Sequence, residues 1–337
     1  MIALTVRATG SARPLAYSWS VAAALLLALA YPISAGASVG LWPGLPPDGT
    51  PWDAPCETHQ STLWSIARDT ERAERPLLDD DESDTFWTRR RKVLALNVGG
   101  AAAILGLGSI AWEHGSSSFA FENEGWFEHD TKYGGADKLG HAWANYALAV
   151  LYSRLYADWD FEPHEAALYG SLSSWAHTTL VEIGDGFSKD HGFSWEDLLF
   201  NTLGAAFAYA RLLNPSLAES VDFRLEWIPS RQFRRGDRAD PFTDYSGQKY
   251  LLAFKLGGLL QTDDPVMRAL EVHLGYYTRG YVSGDEGTFD REKRHGYIGL
   301  GLNVTYLLDR LTGRRAWNLF DYVQMPYTYL PARHSFD

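Results

Sequence analysis

Three short segments concentrate the side chains that could do chemistry. Asp137-Lys138-Leu139-Gly140-His141 sets a carboxylate and an imidazole four residues apart, and Asn145 follows at the same interval, so the three share a helix face. Glu182-Ile183-Gly184-Asp185-Gly186 closes an apolar stretch with two carboxylates, and Ser194-Trp195-Glu196-Asp197 leads to Asn201 among Leu, Phe and Ala. Buried polar groups cost free energy unless they are partnered, so His141, Glu182 and Asn201 are expected to meet. Asp137, Lys138, His141, Glu182, Asp185, Ser194, Asp197 and Asn201 make up the expected polar network.

That network admits three readings. In the first it is structural: Ser194-x-x-Asp197 has the form of a capping box, Asp137 can cap its own helix, and Asp185-Gly186 suits a helix-ending turn. In the second, His141, Glu182, Asp185 and Asp197 supply one nitrogen and several oxygens to a divalent ion, a set that suits zinc or manganese, although no His-x-x-x-His or Glu-x-x-His spacing occurs among them. In the third, His141 is a general base oriented by Glu182, with Ser188 or Ser194 as nucleophile, but neither serine stands in a Gly-x-Ser-x-Gly elbow. The catalytic candidates are therefore His141, Glu182 and Asp197, and a divalent metal is the one cofactor these groups could hold. His177, on an apolar stretch beside Trp175, reads as a core histidine, and His191 as solvent-facing. His114 and His129 fall in the acidic, Gly-rich connection 113–136, whose aromatics Phe119, Phe121, Trp126 and Phe127 suit core packing or a membrane interface.

The elements that must position these groups follow from periodicity and punctuation. Helices are expected over Val93–Trp112, Lys138–Tyr156, Pro163–Ile183 and Trp195–Leu213, the third with Pro at its first turn and the fourth ending before Asn214-Pro215. After Pro215 the period becomes twofold: Val221, Phe223, Leu225 and Trp227 alternate with Asp222, Arg224 and Glu226. Further β-like runs are Lys249–Leu260, Leu270–Val282, Tyr297–Leu307 and Phe320–Leu330. The fold class is α+β, a bundle of about four helices followed by an antiparallel β region of about five strands. Five strands are too few to close a bacterial outer-membrane barrel, for which about eight is the minimum. The first helix is long enough to span a bilayer, yet Arg89-Arg90-Arg91-Lys92 abuts it on the side that export would place outside the cytoplasm, against the positive-inside rule.

The whole chain has 337 residues, 42 acidic against 30 basic, for a net charge of −12, a balance that argues against nucleic acid as a partner. Its 46% hydrophobic content excludes disorder as the main state, and a single Cys excludes a disulfide framework. Arg7 and Arg13, the apolar run Val21–Ala30 and Ala35-Gly36-Ala37 read as a secretory signal peptide, so the expected domains are 1–37 signal peptide, 38–88 Pro-rich and charged leader, 89–215 helical domain and 216–337 antiparallel β region.

The motifs Asp-Lys-x-x-His, Glu-x-x-Asp-Gly and Gly-Phe-Ser-x-x-Asp-x-x-x-Asn-x-x-Gly are carried by Asp137, Lys138, His141, Glu182, Asp185, Gly186, Gly192, Phe193, Ser194, Asp197, Asn201 and Gly204. Over about 90–215 the chain thereby resembles the YfiM-type family of predicted periplasmic lipoproteins and, more distantly, VanZ-like membrane proteins. The resemblance implies an envelope location and no settled reaction. The chain departs from the lipoprotein pattern at Cys56, which follows Asp53-Ala54-Pro55 rather than a lipobox. The expected protein is a noncatalytic envelope component, exported and associated with the outer membrane or its periplasmic face, with membrane or envelope components as partners. The β region would be its route to any homo-oligomer. The alternatives are an envelope hydrolase acting on lipid or glycan and, for location, the inner membrane.

Overall fold

Pro, Gly and capping side chains decide where the chain turns. The computed structural model describes residues 81–337 apart from 237–240, 282–291 and 314–317, with no side-chain description for 81–87 and 111. The signal-peptide and leader assignments therefore lie outside the described residues, except for the leader's last stretch. Four long helices come first: α1 (Asp81–Ala111), α2 (Ala136–Asp158), α3 (Pro163–Gly186) and α4 (Trp195–Leu213). Pro163 opens α3, where a missing N–H costs nothing, and Ser194 caps α4 by accepting the Asp197 N–H at 3.2 Å. A short helix α5 (Pro215–Ser220), capped by Asn214, leads into the sheet.

The sheet is a five-stranded antiparallel meander in chain order: β1 (Val221–Trp227), β2 (Gln248–Lys255), β3 (Leu270–Arg279), β4 (Lys293–Leu302) and β5 (Tyr329–Ser335). The α+β arrangement is the one expected, with differences at strand ends. The run from Lys249 stops at Lys255 and turns into a single helical turn, Leu256–Leu259. The run from Tyr297 stops at Leu302, where Asn303 caps a helix over Val304–Thr312. Of Phe320–Leu330 only the last two residues lie in β5. Before that, Tyr322 and Gln324 bond to Leu225, covering the otherwise open edge of β1.

Helix α2 is the centre of the packing. Trp143, Tyr146, Ala147 and Val150 meet Phe207 and Ala208 of α4 on one side and Phe223 and Tyr250 of the sheet on the other. Its contacts with the other helices are made largely by small residues. A Cβ on Gly204 of α4 would lie 2.1 Å from the Ala142 carbonyl oxygen, and one on Gly170 of α3 would lie 2.5 Å from the Ser153 nitrogen.

The sheet inverts the usual arrangement. Asp222, Arg224, Glu226, Glu271 and His273 point to one face and are all buried. Arg224 pairs with Glu271 at 2.7 Å and Asp222 at 2.5 Å, while Arg211 and Lys255 also reach Asp222. Lys249 of β2 donates to the Tyr329 hydroxyl of β5 at 2.9 Å. In a flat sheet those strands would stand about 14 Å apart, so the sheet curls around its charged side chains. On the opposite face α2 covers β1 and β2 and leaves Leu274, Ile298, Leu300 and Leu330 exposed.

The small-residue contacts make a paired prediction. Gly204→Val should cost about 1–3 kcal/mol of stability through overpacking against the α2 backbone. Gly99→Ala on α1, where an added Cβ meets nothing within 4 Å, should instead raise stability by up to about 1 kcal/mol through helix propensity. Denaturation of the two variants beside the parent protein reads both signs.

Candidate functional site

The polar network begins at the entry to α2. Gly134 (φ 58) and Gly135 (φ 79) take left-handed backbone, and a Cβ on Gly135 would lie 2.5 Å from the Trp126 carbonyl oxygen. Gly135 is therefore the residue before the helix, and the expectation that Asp137 caps α2 is corrected: it lies inside the first turn, buried beside Lys138. The Lys138 ammonium is fully buried and sits among three carboxylates, 2.7 Å from Glu124 Oε2, 3.0 Å from Asp137 Oδ2 and 3.2 Å from Asp197 Oδ1. Lys132 reaches the other Glu124 oxygen at 2.5 Å.

One turn along α2, His141 faces α3 and α4. Its Nδ1 is 3.2 Å from Glu182 Oε1 and its Nε2 is 3.9 Å from Asp197 Oδ2. Asn201 Nδ2 donates to the same Glu182 oxygen at 3.2 Å. Asp197 thus joins the two halves, with one oxygen toward Lys138 and the other toward His141. Glu182, Asp197 and Asn201 are buried, whereas the His141 side chain keeps 30% of its surface exposed.

Four carboxylates share this volume with two lysines. Burial and the cations beside it act in opposite directions on Glu124, and Lys132, a hydrogen bond to Asp137 and Lys138 prevail, holding it well below the usual carboxylate range. Burial pushes Asp137 up to about 7 against the pull of Lys138. Burial likewise raises Asp197 to about 6 against His141. Burial alone would lower the pKa of His141, but Glu182 and Asp197 outweigh it and hold the imidazolium up to about 10. A histidine this firmly protonated is a poor general base at neutral pH.

The remaining residues are placed as follows. Asp185 does not join the His141 group: it accepts from His114 Nε2 at 2.9 Å, and it therefore leaves the expected metal set. His114 is buried where added Cβ atoms on Gly108 and Gly184 would strike its ring, so the pair ties the end of α1 to α3. Ser194 holds the cap, but the Asp197 carboxylate turns to Lys138 and His141. Ser188 Oγ donates to the Trp112 carbonyl. Asn145 bonds Thr178 and Ser174 of α3, one step further along the interface that His141 shares with Glu182. His177 is a buried core histidine: its Nε2–H donates to the Asn97 carbonyl, so Nδ1 accepts from the Tyr152 hydroxyl. His191 and His129 are exposed. The aromatics of 119–127 pack on Phe187, Phe193, Trp195 and Phe200. Sequence reasoning missed the roles of Glu124, Lys132 and His114, which rest on tertiary contacts; Glu124 is one of several carboxylates in an acidic connection, and nothing local singles it out.

Two outcomes follow. Lys138→Met should destabilise the protein by about 3–5 kcal/mol, because the carboxylates around it lose their buried counter-charge; denaturant midpoints read the loss. His141 has a folded pKa above its unfolded value of about 6.5, so its contribution is fully present below that pH. It should fade as the pH rises toward about 10. The melting-temperature gap between the parent protein and His141→Gln should accordingly shrink from pH 6 to pH 10, and a constant gap would refute the ion pairing.

No curated protein and no solved structure matches this chain. Residues 123–213, which hold Glu124, Lys138, His141, Glu182, Asp197 and Asn201, match the family model described as predicted periplasmic lipoprotein (DUF2279), a description that carries no reaction.

Proposed function

We propose that the protein is a noncatalytic component of the cell envelope that lies against lipid, at the outer membrane or its periplasmic face, with the ion network serving to hold the helices that carry its membrane-facing surfaces. The observation that carries this reading is α1. Thr88–Ile110 is long and apolar enough to cross a membrane by length and composition, and nearly all of it lies outside the packed interior. Leu94, Val98, Leu105 and Ile110 are exposed along it. Its few polar attachments point inward, through Asn97 to the Tyr156 hydroxyl and to His177.

Two further features support the same reading. Leu168, Leu172 and Trp175 of α3 and Leu199 and Leu203 of α4 are also exposed, and the Trp175 indole donates to Thr202 between the two helices. The leucine face of β3–β5 lies outside a charged interior, the polarity expected of strands that meet lipid. A serine-hydrolase reading finds no such support, because Ser188 and Ser194 are engaged with the backbone and His141 is held protonated.

Flotation with vesicles of mixed zwitterionic and anionic lipid tests the proposal. The full chain should float with the vesicles, Val98→Glu combined with Leu105→Glu should cut the floated fraction several-fold, and Ile298→Glu with Leu300→Glu should lower it further. Density-gradient fractionation of cells should recover the protein with the outer membrane. Recovery as a non-floating protein, or as a dimer that Ile298→Glu dissociates without any change in flotation, would overturn lipid as the occupant of the respective face.

A further inference from the structure

Two sets of three ligand-type residues occur among the described residues, and they share Asp197: Glu124 with Asp137, and His141 with Glu182. The first already holds a cation, since the Lys138 ammonium lies within 3.2 Å of all three carboxylates. The second is different in kind. One ligand atom from each of His141, Glu182 and Asp197 lies within 4.8 Å of the others. The 3.2 Å between His141 Nδ1 and Glu182 Oε1 is close to the edge of about 3.4 Å that a tetrahedron with zinc-like bonds requires.

We propose that His141, Glu182 and Asp197 bind a divalent transition metal of the zinc or manganese class. Glu182 and Asp197 place two buried carboxylates beside the imidazole, negative charge that a divalent ion would offset. The donor set, one imidazole nitrogen and two carboxylates, suits these borderline ions. The outer contacts are those that hold metal ligands in place: Asn201 donates to Glu182, and Lys138 pairs with the Asp197 oxygen turned away from His141. Access is open on the His141 side, the one partly exposed member. Three protein ligands on three helices would tie α2, α3 and α4 at one point and leave a coordination position for water or an anion.

The test is a calorimetric titration of Zn²⁺, and in parallel Mn²⁺, into tag-free full-length protein in detergent, with thermal melts of the same samples. The expected result is one ion per chain, affinity about tenfold or more weaker in His141→Ala and in Glu182→Gln, and a metal-dependent rise in melting temperature only in the parent protein. His191→Gln and His129→Gln should bind like the parent. Glu182→Gln keeps an acceptor for Asn201 and decides the matter if His141→Ala does not fold. Absence of stoichiometric binding, or binding that survives both ligand substitutions, would overturn the site. Flotation with vesicles is a separate readout, so loss of the metal site leaves the membrane proposal standing or falling on its own result.

Discussion

The burial of the Lys138 ammonium among Glu124, Asp137 and Asp197 is the constraint on which the helical part depends. Each of those carboxylates comes from a different place: the connection before α2, the first turn of α2, and the first turn of α4. None could be buried alone without a large desolvation penalty, and the lysine cannot be buried without them. The cluster therefore forms as a unit or not at all, and its formation fixes how the 113–135 connection, α2 and α4 meet. Asp197 then passes the constraint to His141, and Glu182 passes it to α3.

The rest of the bundle explains why such an expensive device is retained. The buried residues of α2, α3 and α4 include Ala142, Ala147, Ala149, Ala166, Ala167, Ala205 and Ala208, with Gly170 and Gly204 at the closest approaches. Small residues let helices approach closely, as they do in membranes, but a surface of alanines offers few knobs to select one register over the next. Directional pairs supply what shape does not. His141–Glu182 and Asn145–Thr178 step in opposite senses along antiparallel α2 and α3, so sliding one helix by a turn would unpair both at once.

Local chemistry was legible in the sequence, and tertiary chemistry only in part. Ser194 as a cap, Pro163 at a first turn and the alternation of β1 each depend on residues within a few positions, and all three stand in the structure. The convergence of His141, Glu182 and Asn201 could also be read, because a charged or amide group in an apolar helix has few other ways to be satisfied. Asp137 misled for a physical reason: its capping role was taken by two left-handed glycines, which freed its carboxylate for Lys138. Glu124 has no periodic context to mark it, and β5 lies later than its aromatic run suggested because Tyr322 and Gln324 were spent on the edge of β1. The alternation of Asp222, Arg224 and Glu226 revealed a strand but not which face was inside, since period alone does not say whether the polar side meets water or another charge.

That last ambiguity is where the two halves of the molecule agree. In the helices Lys138 and its carboxylates are buried beside the apolar core of Trp143 and Tyr146, while Leu168, Leu172, Trp175, Leu199 and Leu203 face out. In the sheet Arg224, Asp222 and Glu271 lie within and leucines again face out. A protein folding in water gains most by the reverse arrangement, because apolar area left outside contributes nothing to the hydrophobic driving force. The inverted pattern becomes favourable where the surroundings are apolar, since each outward leucine then gains its burial from lipid while interior charges, once paired, stay away from it. Pairing must then be nearly complete, because an interior charge facing hydrocarbon has no water to fall back on. Around His141, Glu182 has an imidazole rather than a lysine or arginine as its ion partner, and there the cluster opens to the outside.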